Sequence, residues 1–185
     1  MRWQRLFDDL EAQLEAADSA ELAAEVADRT RREAALLTAT DRLSAMRGRS
    51  VGLAVRGGVS VTGRVVDLAP EWLLLEEPPA REVLVPWAAV LSVAGVGGRA
   101  GPPGAAGEVA RRLGLGSALR GLARDRTTLT VTLTDGSRLT GTIDRVGADY
   151  VELAEHLPTE ARRPGAVSGV RLVPYGALAV LRASD

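Results

Sequence analysis

The chain of 185 residues contains no cysteine, no lysine and no asparagine; it has one histidine, one isoleucine and few aromatic rings (3%). Without cysteine there can be no disulfide, no thiolate metal site and no thiol nucleophile. His156, the single histidine, cannot complete a zinc ligand set of the usual kinds. Its setting, Glu155-His156-Leu157-Pro158, reads as a surface loop. Long apolar runs are missing too. The most apolar stretch, Val83 to Val96, is interrupted by Pro86 and falls short of the roughly 20 residues that span a bilayer. The N-terminus turns acidic at Asp8-Asp9 before any apolar run forms, so it does not read as a signal peptide, and a cytoplasmic protein is expected. Lysine, asparagine and isoleucine share AT-rich codons. Their scarcity reads as the mark of a GC-rich genome and says nothing about ligands.

The charges that are present balance. All 23 basic residues are arginine and stand against 24 acids, a net charge of −1, which argues against a globally basic nucleic-acid coat and against a disordered acidic tail. With 46% apolar residues the chain can bury a core, built here from Val, Leu and Ala. The balance is not local. Residues 95–126 hold 6 arginines and 2 acids, whereas residues 1–47 hold 7 basic and 10 acidic side chains. One compact basic element therefore lies inside a neutral total.

Four segments follow from the patterning. Residues 1–47 lack proline and glycine, are rich in Glu, Ala, Leu and Arg, and read as a helical arm. Trp3, Leu6, Phe7, Leu10, Leu14 and Ala17 recur three or four apart, and Asp18 with Glu21 offers a capping box that would restart the helix. The arm is expected as a helix pair, packed on the domain or on a copy of itself, or docking another protein. Arg29-Thr30-Arg31-Arg32, flanked by acids, reads as a solvated face. Residues 48–96 and 126–185 alternate with period two and read as short strands. Residues 97–125 form a Gly/Pro-rich linker and then a basic helix from about Glu108 to Arg124.

The two strand regions are copies of one another. At a constant offset of 78, Val55 matches Leu133, Gly58 matches Gly136, Gly63 matches Gly141, Val65 matches Ile143, Trp72 matches Tyr150 and Leu75 matches Leu153. After a connection ten residues longer in the second copy, Val85-Pro86-Trp87 matches Val173-Pro174-Tyr175. About five short, bent strands with a mid-strand glycine in each copy suggest a small barrel.

The second copy resembles the Sm-like barrels, and within them the bacterial Hfq RNA chaperones. Ala118-Leu119-Arg120 and Arg124-Asp125-Arg126 lead into Val131-Thr132-Leu133-Thr134-Asp135-Gly136, then Arg138-Leu139-Thr140-Gly141-Thr142-Ile143-Asp144. That is the family's order: a helix, a strand ending in a D/N-G turn, then a basic residue, Leu, x, Gly, x, Ile and an acid. Tyr150-Val151-Glu152-Leu153 and Val173-Pro174-Tyr175-Gly176-Ala177-Leu178 stand where the third strand and the Tyr-Lys-His-Ala-Ile segment belong. The resemblance implies an α+β, mainly β chain: a helical arm, then two Sm-like (SH3-like) five-stranded small barrels joined by the linker and helix. It also implies assembly through barrel edge strands, either as a ring of several chains or as pairing of the chain's own two barrels, and single-stranded RNA as ligand. The family's RNA pocket departs here. Its asparagine has no counterpart, and its Lys-His pair is replaced by Gly176-Ala177 and by Ala88-Ala89. The arm, tandem units and arginine-bearing helix also resemble a family of actinobacterial proteins labelled Fis-type transcription regulators, although no helix-turn-helix is readable.

Residues for an anionic partner are Arg111, Arg112, Arg120, Arg124, Arg126 and Arg138. Trp72, Trp87, Tyr150 and Tyr175 are the rings able to stack a base in the two strand regions, and they read first as core or seam residues. Glu76-Glu77 and Glu155, at matching positions, read as solvated loop charges. Gly95-Val96-Gly97-Gly98-Arg99-Ala100 fits a loose dinucleotide pattern, but Pro102-Pro103 follow where a helix would have to begin. No catalytic, cofactor or metal constellation is readable. The expected function is non-enzymatic: an RNA-associated scaffold, with a protein adaptor acting through the acidic arm and a DNA-associated regulator as alternatives.

Overall fold

From Arg2 to Ala35 nothing in the chain interrupts a run of residues that lose little freedom on forming a helix. In the computed structural model, which describes residues 2–98, 100–101, 113–157 and 167–184, this run is one helix, α1 (Arg2–Ala35). The restart expected at Asp18 does not occur. A capping side chain stabilises a break that the chain already makes, and Ala17, Ser19 and Ala20 impose none. Arg29 pairs with Glu33 one turn on, and Arg31 with Asp28 one turn back, all on the exposed surface.

The chain divides into two compact units, Met1–Thr38 and Ala39–Asp185. The second opens with a short helix, α2 (Ala39–Ser44), whose Leu43 enters the core together with Met46. Five strands follow, β1 (Ser50–Val55), β2 (Val59–Ala69), β3 (Trp72–Glu77), β4 (Arg81–Pro86) and β5 (Val90–Ala94). A 3-10 turn, Trp87–Ala89, separates the last two, so the apolar run broken at Pro86 becomes two strands. Helix α3 (Leu115–Arg124) precedes five more: β6 (Thr128–Leu133), β7 (Arg138–Val146), β8 (Tyr150–Glu155), β9 (Gly169–Pro174) and β10 (Leu178–Ala183). The helix expected from Glu108 is described only from Leu115, Gly114 serving as its N-cap; residues 108–112 lie outside the described residues.

Among the described residues the strands form a single antiparallel sheet in the order β5-β1-β2-β3-β4-β10-β6-β7-β8-β9. The first five and the last five are thus arranged alike. Their registers repeat at the offset read from the sequence: Leu53 faces Val61 as Val131 faces Leu139. Both copies carry a register shift in the long second strand, between Val65 and Asp67 and between Ile143 and Arg145. The mid-strand glycines stand just before those bulges. A Cβ on Gly63 would lie 2.7 Å from the Glu76 carbonyl oxygen, and one on Gly141 would overlap the Ala154 carbonyl. Glycine is present because the next strand's backbone passes too close for any side chain.

The copies join where β4 pairs with β10, Leu84 opposite Leu181 and Val83 opposite Arg182. This pairing explains why both strands read as continuous apolar runs. Val83 and Val85 face a first core with Val51, Leu53, Leu73 and Leu75, while Leu84 faces a second core with Leu129, Ile143 and Leu153. Strand β10 does the converse, sending Ala179 and Val180 into the first core and Leu178 and Leu181 into the second. The Arg182 guanidinium donates from Nε and Nη2 to the Glu77 carboxylate at 3.0 and 3.2 Å, a largely buried pair across the same junction.

Two substitutions test this packing, read by denaturant unfolding. Leu84→Ala is expected to cost about 2–5 kcal/mol through the cavity left between two cores. Gly141→Ala is expected to cost about 1–3 kcal/mol by forcing β7 and β8 apart. Retention of full stability by either would contradict the close approach described.

Candidate nucleic-acid interface

Helix α3 buries Leu115 and Leu119 in the second core and exposes Arg120 and Arg124 on its other side. Its first free N–H, on Leu115, donates to Glu71 Oε2 at 2.7 Å, a carboxylate from the turn between β2 and β3. A negative charge is favourable at a helix N-terminus. The Trp72 indole N–H donates to the Leu113 carbonyl at 2.8 Å. The first copy therefore anchors the start of a helix that packs on the second.

The structure separates the arginines singled out from the sequence. Arg120, Arg124 and Arg126 lie on α3 and just beyond it, all exposed. Arg120 donates to the Ser117 hydroxyl at 3.1 Å, and Arg124 lies 3.8 Å from Asp125. Arg126 has left-handed backbone, φ 52°. Arg138 stands at the far end of the β6–β7 pair, opposite Thr132, whereas the α3 end of that pair is Thr128 opposite Thr142. Four positions along a strand are about 13 Å, so Arg138 belongs to a different surface. Arg111 and Arg112 lie outside the described residues.

The rings divide as well. Trp72 is buried in the second core, in keeping with its reading as a core residue. Trp87 and Tyr175, which correspond in the repeat, are half-buried and share one groove of about 350 Å³ with Pro70, Glu71, Pro86 and Ala88. Trp87 is held by its indole N–H on the Ala69 carbonyl at 3.1 Å, and Tyr175 by its hydroxyl on the Gly147 carbonyl at 2.9 Å. Gly116 leaves room for the Tyr175 hydroxyl and the Arg120 guanidinium, both within 3.4 Å of where its Cβ would stand. An arginine thus borders a groove with two rings. The repeat alone showed that Trp87 and Tyr175 correspond; that they face the same groove follows from the β4–β10 pairing. Burial pushes the Tyr175 phenol above its ordinary value near 10, with the Arg120 charge opposing.

His156 is not on the surface. It is 5% exposed, and the reason is hydrogen bonding. Nδ1 lies 2.9 Å from the Leu157 carbonyl, which can only accept, so Nδ1 carries the proton; Nε2 then accepts from the Thr142 hydroxyl at 2.8 Å. Both ring nitrogens are therefore engaged by partners within the fold. The three glutamates stand at strand ends and each carries an ion pair, exposed at Glu76 and Glu155 and part-buried at Glu77. Glu76 takes Arg64, Glu77 takes Arg182 and Glu155 takes Arg171. No group of three or more metal-ligating side chains occurs among the described residues, and no helix is long and apolar enough to cross a membrane. No protein-family model matches the chain, and no curated protein matches it by sequence.

His156→Ala is expected to lower unfolding free energy by about 1–3 kcal/mol, because it strands the buried Thr142 hydroxyl. Tyr175 sets a pH dependence. Its folded pKa is raised, so its contribution is complete below the ordinary phenol value near 10 and is lost as pH rises through the folded value. Unfolding curves at pH 8 and at pH 11 should show an alkaline loss that Tyr175→Phe reduces.

Proposed function

We propose that the protein is a non-enzymatic binding scaffold of two Sm-like small barrels, and that single-stranded RNA is its ligand. The observation that carries this reading is the groove that gathers Trp87 and Tyr175 beside Arg120. Single-strand readers hold bases on aromatic faces and phosphates on arginine, and neither contact demands a particular base. The shared strand order of the two halves, the bulged second strands and the α3 helix support the Sm-like assignment.

Assembly is the second part of the proposal. Strand β4 is sealed by β10, whereas their counterparts β9 and β5 are the outer edges of the sheet. Leu84 is 5% exposed, while Leu172 at the matching place on β9 is 58% exposed; Leu91 on β5 is 63% exposed where its match, Ala179, is buried. A β9 edge meeting the β5 edge of another copy would bury these side chains and pair the open backbone groups. Such a contact is head-to-tail, and where its rotation closes, three chains give a ring of six units. The apolar side chains Leu14, Leu22 and Val26 exposed on α1 favour a further role for the arm in docking a protein partner. A cytoplasmic location accords with this reading.

The test is the solution mass of the untagged protein together with the nucleic acid that co-purifies with it. A multiple of three chains carrying RNA is expected; a clean monomer that ignores RNA overturns the proposal. Trp87→Ala should weaken binding of an RNA oligonucleotide by about 1–3 kcal/mol. Arg120→Ala should weaken it across all sequences and reduce the salt slope by about 1.

A further inference from the structure

A second cavity, of about 660 Å³, opens where the two halves meet, on the surface to which Arg138 belongs. Its described lining includes Arg81, Arg138 and Arg182 and the hydroxyl residues Ser60, Thr130, Thr132 and Ser184, with no carboxylate and no aromatic ring. Arg182 spends two of its five N–H donors on Glu77, which leaves three. Arg138 forms no ion pair among the described residues, and it is exposed.

Comparison of the two copies shows that this chemistry is not part of the repeat. Arg81 corresponds to Gly169, Arg182 to Ala94 and Arg138 to Ser60, all small and uncharged. The strand registers fix these matches, since Glu77 faces Arg81 as Glu155 faces Gly169, and Ala54 faces Ser60 as Thr132 faces Arg138. A general need of the fold would place arginines in both copies. Here three gather at one seam, each at a position where the other copy carries no charge.

We infer that the seam cavity is a binding site for a phosphate group carried by a small phosphomonoester or by the 5′ end of an RNA. Guanidinium forks match the spacing of phosphate oxygens. A terminal phosphate offers three strong acceptor oxygens, which suits the many donors around the cavity better than a two-oxygen carboxylate does. With no ring to stack on, the site reads the phosphate and leaves the base unread. Because the halves enclose it together, it exists only while β4 and β10 are paired. The inference does not rest on the aromatic groove or on RNA binding there.

The experiment is calorimetric titration of the full-length protein with inorganic phosphate, with glycerol 3-phosphate, and with one oligoribonucleotide in 5′-phosphorylated and 5′-hydroxyl forms. Saturable binding of at least one phosphomonoester is expected, about tenfold to a hundredfold weaker in Arg138→Ala and partly kept in Arg138→Lys. Thermal unfolding of both variants should match the parent protein, because Arg138 is exposed. Trp87→Ala should leave the small phosphates unaffected, which separates this site from the groove. Preference for the 5′-phosphorylated oligonucleotide over both its 5′-hydroxyl form and glycerol 3-phosphate would assign the RNA end as source, and tighter binding of glycerol 3-phosphate would assign a free metabolite. No saturable binding of any probe, or affinity unchanged in a folded Arg138→Ala protein, overturns the inference.

Discussion

Strand β4 has two edges, and each must find hydrogen-bond partners or water. One edge takes β3. The other takes β10, which follows much later in the chain, through only two directly facing residue pairs. Much of the sheet unit depends on this short contact. It lets one strand serve two cores, so that Val83, Leu84 and Val85 in succession are all buried. It also brings Glu77 against Arg182, and the two matching 3-10 turns to one groove. Both candidate sites lie across it. Neither can be assigned to one half of the chain, and a lesion in the β4–β10 packing is felt at both.

What was legible in the sequence was the local and repeated part. Paired glycines at matching offsets marked the hairpin turns and the bent second strands, because backbone crowding at Gly63 and Gly141 admits no other residue. Period-two alternation located the strands. The union of the copies in one sheet was not legible, since the alternation of a strand names its own faces but not its lateral neighbour. The clue lay in a contrast between copies: Arg81-Glu82-Val83-Leu84-Val85 is apolar on both faces at its end, while Gly169-Val170-Arg171-Leu172-Val173 keeps a charge.

Single polar residues were the least legible. The setting Glu155-His156-Leu157-Pro158 reads as solvated, yet Thr142 on a neighbouring strand supplies the hydroxyl that makes burial of His156 tolerable. Charge alone sets Arg138 beside the arginines of α3, whereas strand geometry sends it to another surface. Net charge by segment marks residues 95–126 as a basic element, of which Arg120 and Arg124 lie on α3 and Arg126 just beyond it. The arginines at the seam, Arg81 and Arg182, were invisible to that count because their segments are slightly acidic overall.

The Arg182–Glu77 pair joins residues 105 positions apart, and β10 also supplies Ala179 and Val180 to the first core. During synthesis the first half therefore leaves the ribosome with its wall incomplete. It waits, with apolar surface bare, until a strand made about a hundred residues later arrives to close it. At about 5–20 residues per second that interval is on the order of 5–20 s, long compared with hairpin formation. A nascent chain of this design is exposed to aggregation for that interval, and fusions that delay release of β10 prolong it.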